Sequence, residues 1–205
     1  SIGASAVNVT DAIAIVGNTH AVTITGAIAA ADANIIANAT SGIVTATMSA
    51  ASAADIVSGL SNVGTNDVIT AEVTDTTITA AQLATLVAKV DNLTLTDNTA
   101  AITITGTPAT SDVDAIAALT SGAVTATLTA DAAVATTLAA ITNVGTGDTI
   151  TFTTNDTSAD ATDLVALNAK VDTFGVDTVV TVTEAAASIG ASAVNVTDAI
   201  AIVGN

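Results

Sequence analysis

The sequence predicts an α/β fold: a right-handed β/α solenoid of parallel strands with short Ala-rich helices, about eight coils in each 187-residue period. Three observations predict it. Runs that alternate an apolar residue with threonine recur along the chain, most of them 22 to 30 residues apart. Between them lie Ala-rich segments with apolar residues at helical spacing. Finally, the chain repeats itself at two scales. Ser1–Asn18, SIGASAVNVTDAIAIVGN, returns unchanged as Ser188–Asn205 and sets the period. Inside that period AVTITG at Ala21–Gly26 returns as AITITG at Ala101–Gly106, eighty residues later, and LATLVAKVDNL at Leu83–Leu93 returns as LVALNAKVDTF at Leu164–Phe174, eighty-one later. Residues 1–187 are therefore expected to form one period with related halves at about 20–99 and 100–187, and 188–205 to begin the next. The repetition predicts a slice of a tandem array or polymer.

The expected strands are Val7–Thr10, Val22–Thr25, Val44–Thr47, Ile69–Val73, Leu93–Thr96, Ile102–Thr105, Val124–Thr127, Ile150–Thr153 and Val180–Thr183. Alternation over four to six β-branched residues marks a strand with one face buried. The expected helices are Ser52–Leu60, Thr79–Val90, Ser111–Leu119, Asp131–Ile141 and Asp160–Val171, each with an i, i+3, i+4 apolar stripe. Thr79 with Gln82 forms a capping box, and Ser52 with Asp55 a weaker one. Strand, helix and strand at this period make a parallel sheet with right-handed crossovers. The links Thr10–Val22 and Thr96–Ile102 are too short for a full helix, so a narrower coil, a single helical turn or a hairpin is expected there. Inward strand positions are Val22 and Ile24, Val44 and Ala46, Ile69 and Ala71, Val124 and Ala126, Ile150 and Phe152.

Charge narrows the function classes. Nineteen acidic residues face two lysines, Lys89 and Lys170, for a net charge of −17. Such a chain repels nucleic acid and anionic membranes. Yet half of it is hydrophobic, almost all Ala, Val, Ile and Leu, and mean hydropathy is +0.71, unlike a disordered acidic tail. No cysteine is present, which excludes disulfides and thiolate metal sites. No apolar run approaches the roughly 18 residues of a membrane span.

Four groups of residues are candidates for a role. The aspartates Asp67, Asp91, Asp148 and Asp172 repeat at matching places beside strands and helices; carboxylates stacked at coil spacing repel unless a cation lies between them, and the candidates are a bound Ca²⁺, which accepts carboxylate and carbonyl oxygens, or a plain solubilising acidic edge. No other cofactor is expected. Thr23, Thr25, Thr45, Thr47, Thr103, Thr105, Thr125 and Thr127 would form an outward lattice, suited to lateral packing of filaments or to ice. Val7, Val9, Ile13 and Ile15, with Val194 and Val196 of the second copy, are the expected assembly contacts, since neither end reads as a polar cap. His20, the single histidine, reads as a solvated turn residue.

The pattern VTATLTADAAVATTLAAITNVG at Val124–Gly145 resembles segments of giant bacterial secreted β-strand-repeat proteins, and is distantly similar to leucine-rich-repeat coils without their Asn/Cys ladder. That resemblance implies an extracellular or cell-surface array. With segments that return unchanged and no cluster of unlike polar residues, the chain is expected to be no enzyme. It is expected to be the repeat segment of a filament or surface fibre that joins head to tail and bundles laterally. The alternative is an adhesin stalk or an ice-binding solenoid using the Thr-x-Thr face, stabilised by Ca²⁺.

Overall fold

Apart from Val7–Thr10, the alternating runs become strands, and they pair in parallel. The computed structural model describes residues 6–128, 133–177, 180–184 and 189–204, with the side chains of all of these except 6–7, 15–16 and 189–194. The fold is α/β, with parallel sheets and short helices between strands. The chain divides into two compact units, residues 1–98 and 99–205.

The first unit runs α1 (Ala6–Val16), β1 (Val22–Ile28), α2 (Ala30–Ala39), β2 (Val44–Met48), α3 (Ala53–Ser58), β3 (Val68–Val73), β4 (Thr77–Thr79), α4 (Ala80–Lys89) and β5 (Asn92–Leu95). β1, β2, β3 and β5 form a parallel sheet in that order, with Val22 opposite Val44, Ala46 opposite Ile69 and Ala71 opposite Leu93. Between β1 and β2 the register slips after Thr23, so that Ala27 faces Thr47; Gly26 sits inside the slip at φ 89°. That left-handed conformation strains any residue with a Cβ. Gly106 repeats it at φ 88°, at the end of the matching ITITG run.

The second unit runs β6 (Ile102–Thr105), α5 (Thr110–Ala117), β7 (Val124–Thr127), α6 (Val134–Ala140), β8 (Thr149–Thr154), β9 (Ser158–Asp160), α7 (Ala161–Asn168), β10 (Thr173–Val176), β11 (Thr181–Thr183) and α8 (Ile189–Val203). β6, β7, β8 and β10 pair in parallel in that order, and β9 pairs with β11. In each unit successive helices pack side by side over the sheet. The core lies between these layers. In the first unit Val44, Ala46, Ile69 and Ala71 of the strands and Ile36, Ile56, Leu83 and Leu86 of the helices are buried; in the second Val124, Ala126, Ile150 and Phe152 of the strands and Val113, Ile116, Leu164 and Leu167 of the helices are. Phe152 and Phe174, the two aromatic residues, meet edge to face at 5.6 Å.

The expected strand at Val7–Thr10 is instead the start of helix α1. Its alternation lasts four residues; over the longer run AVNVTDAIAIV the residues that reach the core are Val9 and Ile13, one helical turn apart. The link Thr10–Val22 is therefore the rest of that helix and a turn. Three strands arise where none was expected: β4, β9 and β10. Helix α2 was likewise not expected, and covers β2 with Ala33, Ile36 and Ala37.

The capping box forms as the sequence predicts. The Thr79 amide donates to Gln82 Oε1 at 2.9 Å and the Gln82 amide donates to Thr79 Oγ1 at 3.2 Å. Ser52 Oγ accepts the Asp55 amide at 3.1 Å. Thr79→Ala should lower stability by about 1 kcal/mol, read as a shift of the urea midpoint at unchanged slope; an unchanged midpoint would mean that the cap carries no stability.

Candidate functional site

The four aspartates singled out from sequence do one thing, twice over. Asp67 Oδ1 accepts the Val44 amide at 2.7 Å, and Asp148 Oδ1 accepts the Val124 amide at 2.7 Å. Their second oxygens accept Gly64 and Gly145 at 2.8 and 2.9 Å. Asp91 Oδ2 accepts the Ile69 amide at 2.8 Å, and Asp172 Oδ2 accepts Ile150 at 3.1 Å. Each carboxylate thus reaches back to the first residues of the preceding strand and takes an N–H that the ladder leaves over. Asp75 and Asp156 do the same for Ala53 and Val134, the first residues of α3 and α6, each at 2.7 Å. Main-chain N–H dipoles supply the positive partner that the stacking of carboxylates demands. Among the described residues no group of three or more His, Asp or Glu is placed to hold a metal ion.

The two lysines form the reverse contact. Lys89 Nζ donates to the Leu60 carbonyl at 2.6 Å, and Lys170 Nζ donates to Ile141 at 2.8 Å and Val144 at 3.3 Å. They cover carbonyls left over where the preceding helix has ended and the chain turns toward its strand. The whole basic complement of the chain is used in this way.

A second tier links the turns. Thr40 Oγ1 donates to the His20 carbonyl at 2.8 Å and accepts the Gly42 amide at 2.9 Å. Thr120 repeats this with Ala100 and Gly122, at 2.8 and 2.9 Å. Gly42 and Gly122 lie so close to the backbones of His20 and Ala100 that a Cβ on either would overlap the neighbouring carbonyl. Asn34 Oδ1 accepts from Ser61 Oγ and the Asn62 amide; its counterpart Asp114 takes four donors, from Thr142 Oγ1 at 2.9 Å, Asn143 N at 2.6 Å, Asn143 Nδ2 at 2.8 Å and Val144 N at 3.2 Å. Burial pushes the Asp114 carboxyl up, but these donors outweigh it and hold it below its ordinary value. Two polar clefts of about 210 and 200 Å³ lie beside these contacts, lined in part by Asn62, Gly64 and Asp67 and by Asn143, Gly145 and Asp148. The chain matches no protein-family model and no curated protein. What the molecule offers is thus its own internal repetition, in which the Asp, Lys and Thr bonds of one unit recur in the other and Asn34 alone is exchanged, for Asp114, among the pairs named here.

Thr23, Thr25, Thr47, Thr103, Thr105, Thr125 and Thr127 are exposed, and Thr45 is half-buried. In the second unit they align across strands as Thr103–Thr125–Thr149 and Thr127–Thr151–Thr173. In the first, Val68, Asn92 and Glu72 interrupt the rows. His20 is exposed in a turn. Val9 and Ile13 are buried in α1 and Val196 is half-buried in α8; the side chains of Val7, Ile15 and Val194 lie outside the described residues. Among the described residues no helix is long and apolar enough to cross a membrane.

The ladder's Asp partners were visible as a pattern but not as bonds. Asn34 with Asp114, and Thr40 with Thr120, were missed as members. The signal was present for Thr40 and Thr120, which open the segments TSGIVTATMSA and TSGAVTATLTA eighty residues apart; it was faint for Asn34, which becomes Asp114 at the same offset.

Proposed function

We propose that the chain is a structural protein: a repeat segment of an extracellular filament or cell-surface fibre, built as a β/α solenoid that joins head to tail. The observation that carries this reading is the duplicated bracing. Asp67, Asp75, Asp91 and Lys89 make the bonds that Asp148, Asp156, Asp172 and Lys170 make eighty-one residues later. A catalytic centre gathers unlike groups around one point. Here these side chains are turned onto main-chain groups of a neighbouring strand, helix start or turn, and the same set recurs in each unit. The likeness of Val124–Gly145 to giant secreted β-strand-repeat proteins points the same way. Catalysis is no part of this reading.

The test is microscopy and fibre diffraction of the full chain. The expected result is long, thin, unbranched filaments with a spacing of ~4.8 Å along the fibre axis, because the strands then stack along it. Compact monomers at high concentration would refute end-to-end association of separate chains.

The in-register threonine rows of the second unit favour one further role, lateral packing of such filaments. Thr125→Tyr with Thr127→Tyr should leave single filaments intact and abolish bundles, because two rings stand out of a flat face. Bundles that persist in the double variant would count against packing through this face, and ice crystals shaped by the purified protein would assign the rows to ice instead.

A further inference from the structure

Ser1–Asn18 and Ser188–Asn205 are identical in sequence, yet among the described side chains the helices within them bury different faces. In α1 the buried residues are Val9 and Ile13, each 5 % exposed, with Ala12 half-buried. The matching residues of α8 are Val196, Ile200 and Ala199. There Ala199 is fully buried, Val196 is half-buried and Ile200 is 56 % exposed. A helix turns roughly 100° per residue, so the arc centred on Ala199 lies roughly 80° from the arc that carries Val9 and Ile13. α1 packs against α2 and α8 against α7. One sequence therefore carries two adjacent apolar faces, and each of its two copies uses one.

We infer that this helix is a shared joint between copies of the chain: one helix fills the place of α8 on one copy and of α1 on the next, with Ile200 docking on α2 of the second copy. The inference rests on the head-to-tail reading above and supplies its contact. The molecule itself names the occupant. Ile13 is buried on a helix that packs against α2, and Ile200, the same residue of the same helix sequence, is exposed. Residues near the overlap of the two arcs, Val9 and Ala12 or Val196 and Ala199, serve both contacts, as in a helix flanked on both sides within one layer. The strand next to the joint agrees. Among the described residues β1 pairs only with β2, and its Val22 and Ile24 are half-buried where Ile102 and Ile104 of β6 are buried. An edge of this kind is a template for another strand.

Separate chains each carry both helices. Joining them requires α1 of the receiving copy to leave α2 and the incoming α8 to take its place. Loosening α1 should then promote association, the reverse of what burying charges at a simple interface does.

The experiment is sedimentation velocity of the full chain at rising concentration, with circular dichroism confirming the fold of each variant. Val9→Asp with Ile13→Asp loosens α1 and should associate at least about tenfold more tightly than the unaltered chain. Ile200→Asp, in either background, should weaken association on the order of 100-fold, since an unpaired charge would enter the joint. Ile200→Leu should stay within about threefold, because it conserves volume and hydrophobicity. Ile200 is exposed, so its variants decide the matter even if the loosened chain fails to fold. Unchanged association of Ile200→Asp, with the unaltered chain still forming end-to-end species, would overturn the shared helix and leave head-to-tail joining to other contacts. No association of any version would overturn the joining of separate chains itself, and the shared helix with it.

Discussion

Gly122→Ala should destabilise the second unit by about 3–5 kcal/mol, among the largest effects of any single-methyl change in this chain. The reason is steric and local. The Cβ of an alanine would overlap the Ala100 carbonyl, and the Thr99 carbonyl oxygen lies 2.5 Å from the same point. Those atoms are backbone, held by the Thr120 hydroxyl, which donates to Ala100 and accepts Gly122. No rotamer change relieves the overlap, so β6 and β7 must separate or the turn must break. Gly42→Ala should do the same in the first unit, where the overlapped backbone belongs to His20 and Ala21. Gly145 is the control: a Cβ there meets nothing within 4 Å, so Gly145→Ala should stay within about 0.5 kcal/mol. Denaturant unfolding gives the magnitudes, and native-state hydrogen exchange should place the loss of protection at Ile102–Thr105 and Val124–Thr127. Equal stability of Gly122→Ala and Gly145→Ala would show that the turn tolerates the methyl group and that the close approach fixes nothing.

This contact also marks where sequence reading stops. The TSG turns at Thr40–Gly42 and Thr120–Gly122 are legible as helix ends, because glycine and small polar residues terminate helices. That the glycine is there to let one chain segment lie on the carbonyl of another is a tertiary fact with no local signature. The alternating strands were legible for a physical reason, since β-branched residues on one buried face have a period of two and little else does. β10 was not, because Thr173–Val176 reads TFGV and carries a glycine; it is a strand through its pairing with Thr151–Thr154. α2 was missed because AADANIIANA buries alanines as well as isoleucine, so its apolar stripe is faint. The Val7–Thr10 run was misread for the opposite reason. Four alternating residues satisfy a strand, yet the next turn of sequence supplies Ile13 at helical spacing to Val9, and packing against α2 decides between the two periods.

The aspartates divide in the same way. Their recurrence could be read, and the like-charge problem that it raises could be read with it. Which positive partner solves that problem could not, because a main-chain N–H at the start of a strand twenty-two to twenty-four residues away leaves no mark on composition. The acidity of the chain takes on a structural sense here: a carboxylate accepts from N–H without needing a counter-charge on a side chain, which fits a chain with nineteen acidic residues and two lysines.

Asp114→Ala should cost about 3 kcal/mol, since it removes four hydrogen bonds to an ionised acceptor and leaves the amides of Asn143 and Val144 without that partner. Asp114→Asn should cost less. Asn34 stands at the matching place in the first unit and holds Ser61 and Asn62 through its carbonyl oxygen alone, so one oxygen is enough for the main-chain contact. The cost of either variant also depends on pH, because the unaltered chain alone carries the titrating carboxyl. The folded Asp114 carboxyl titrates below its ordinary value of 3.8, so the folded state releases this proton more readily than the unfolded chain. Its stabilisation is fully present above that ordinary value and is lost as pH falls through the lower folded one. The stability gap between the unaltered chain and Asp114→Asn should therefore be constant near neutrality and shrink in strong acid. Asp112, two residues earlier, has the opposite sign: burial raises its carboxyl above 3.8, with a hydrogen bond from Ser111 partly opposing it. Removing its charge by Asp112→Asn should relieve a penalty near neutral pH and bring no gain in acid, where the carboxyl is already protonated. Urea unfolding of the three proteins from neutral to strongly acidic pH reads both slopes at once. A gap for Asp114→Asn that does not change down to the acid limit would mean that its donors stabilise the neutral carboxyl as well as the charged one, and that charge plays no part in holding this turn.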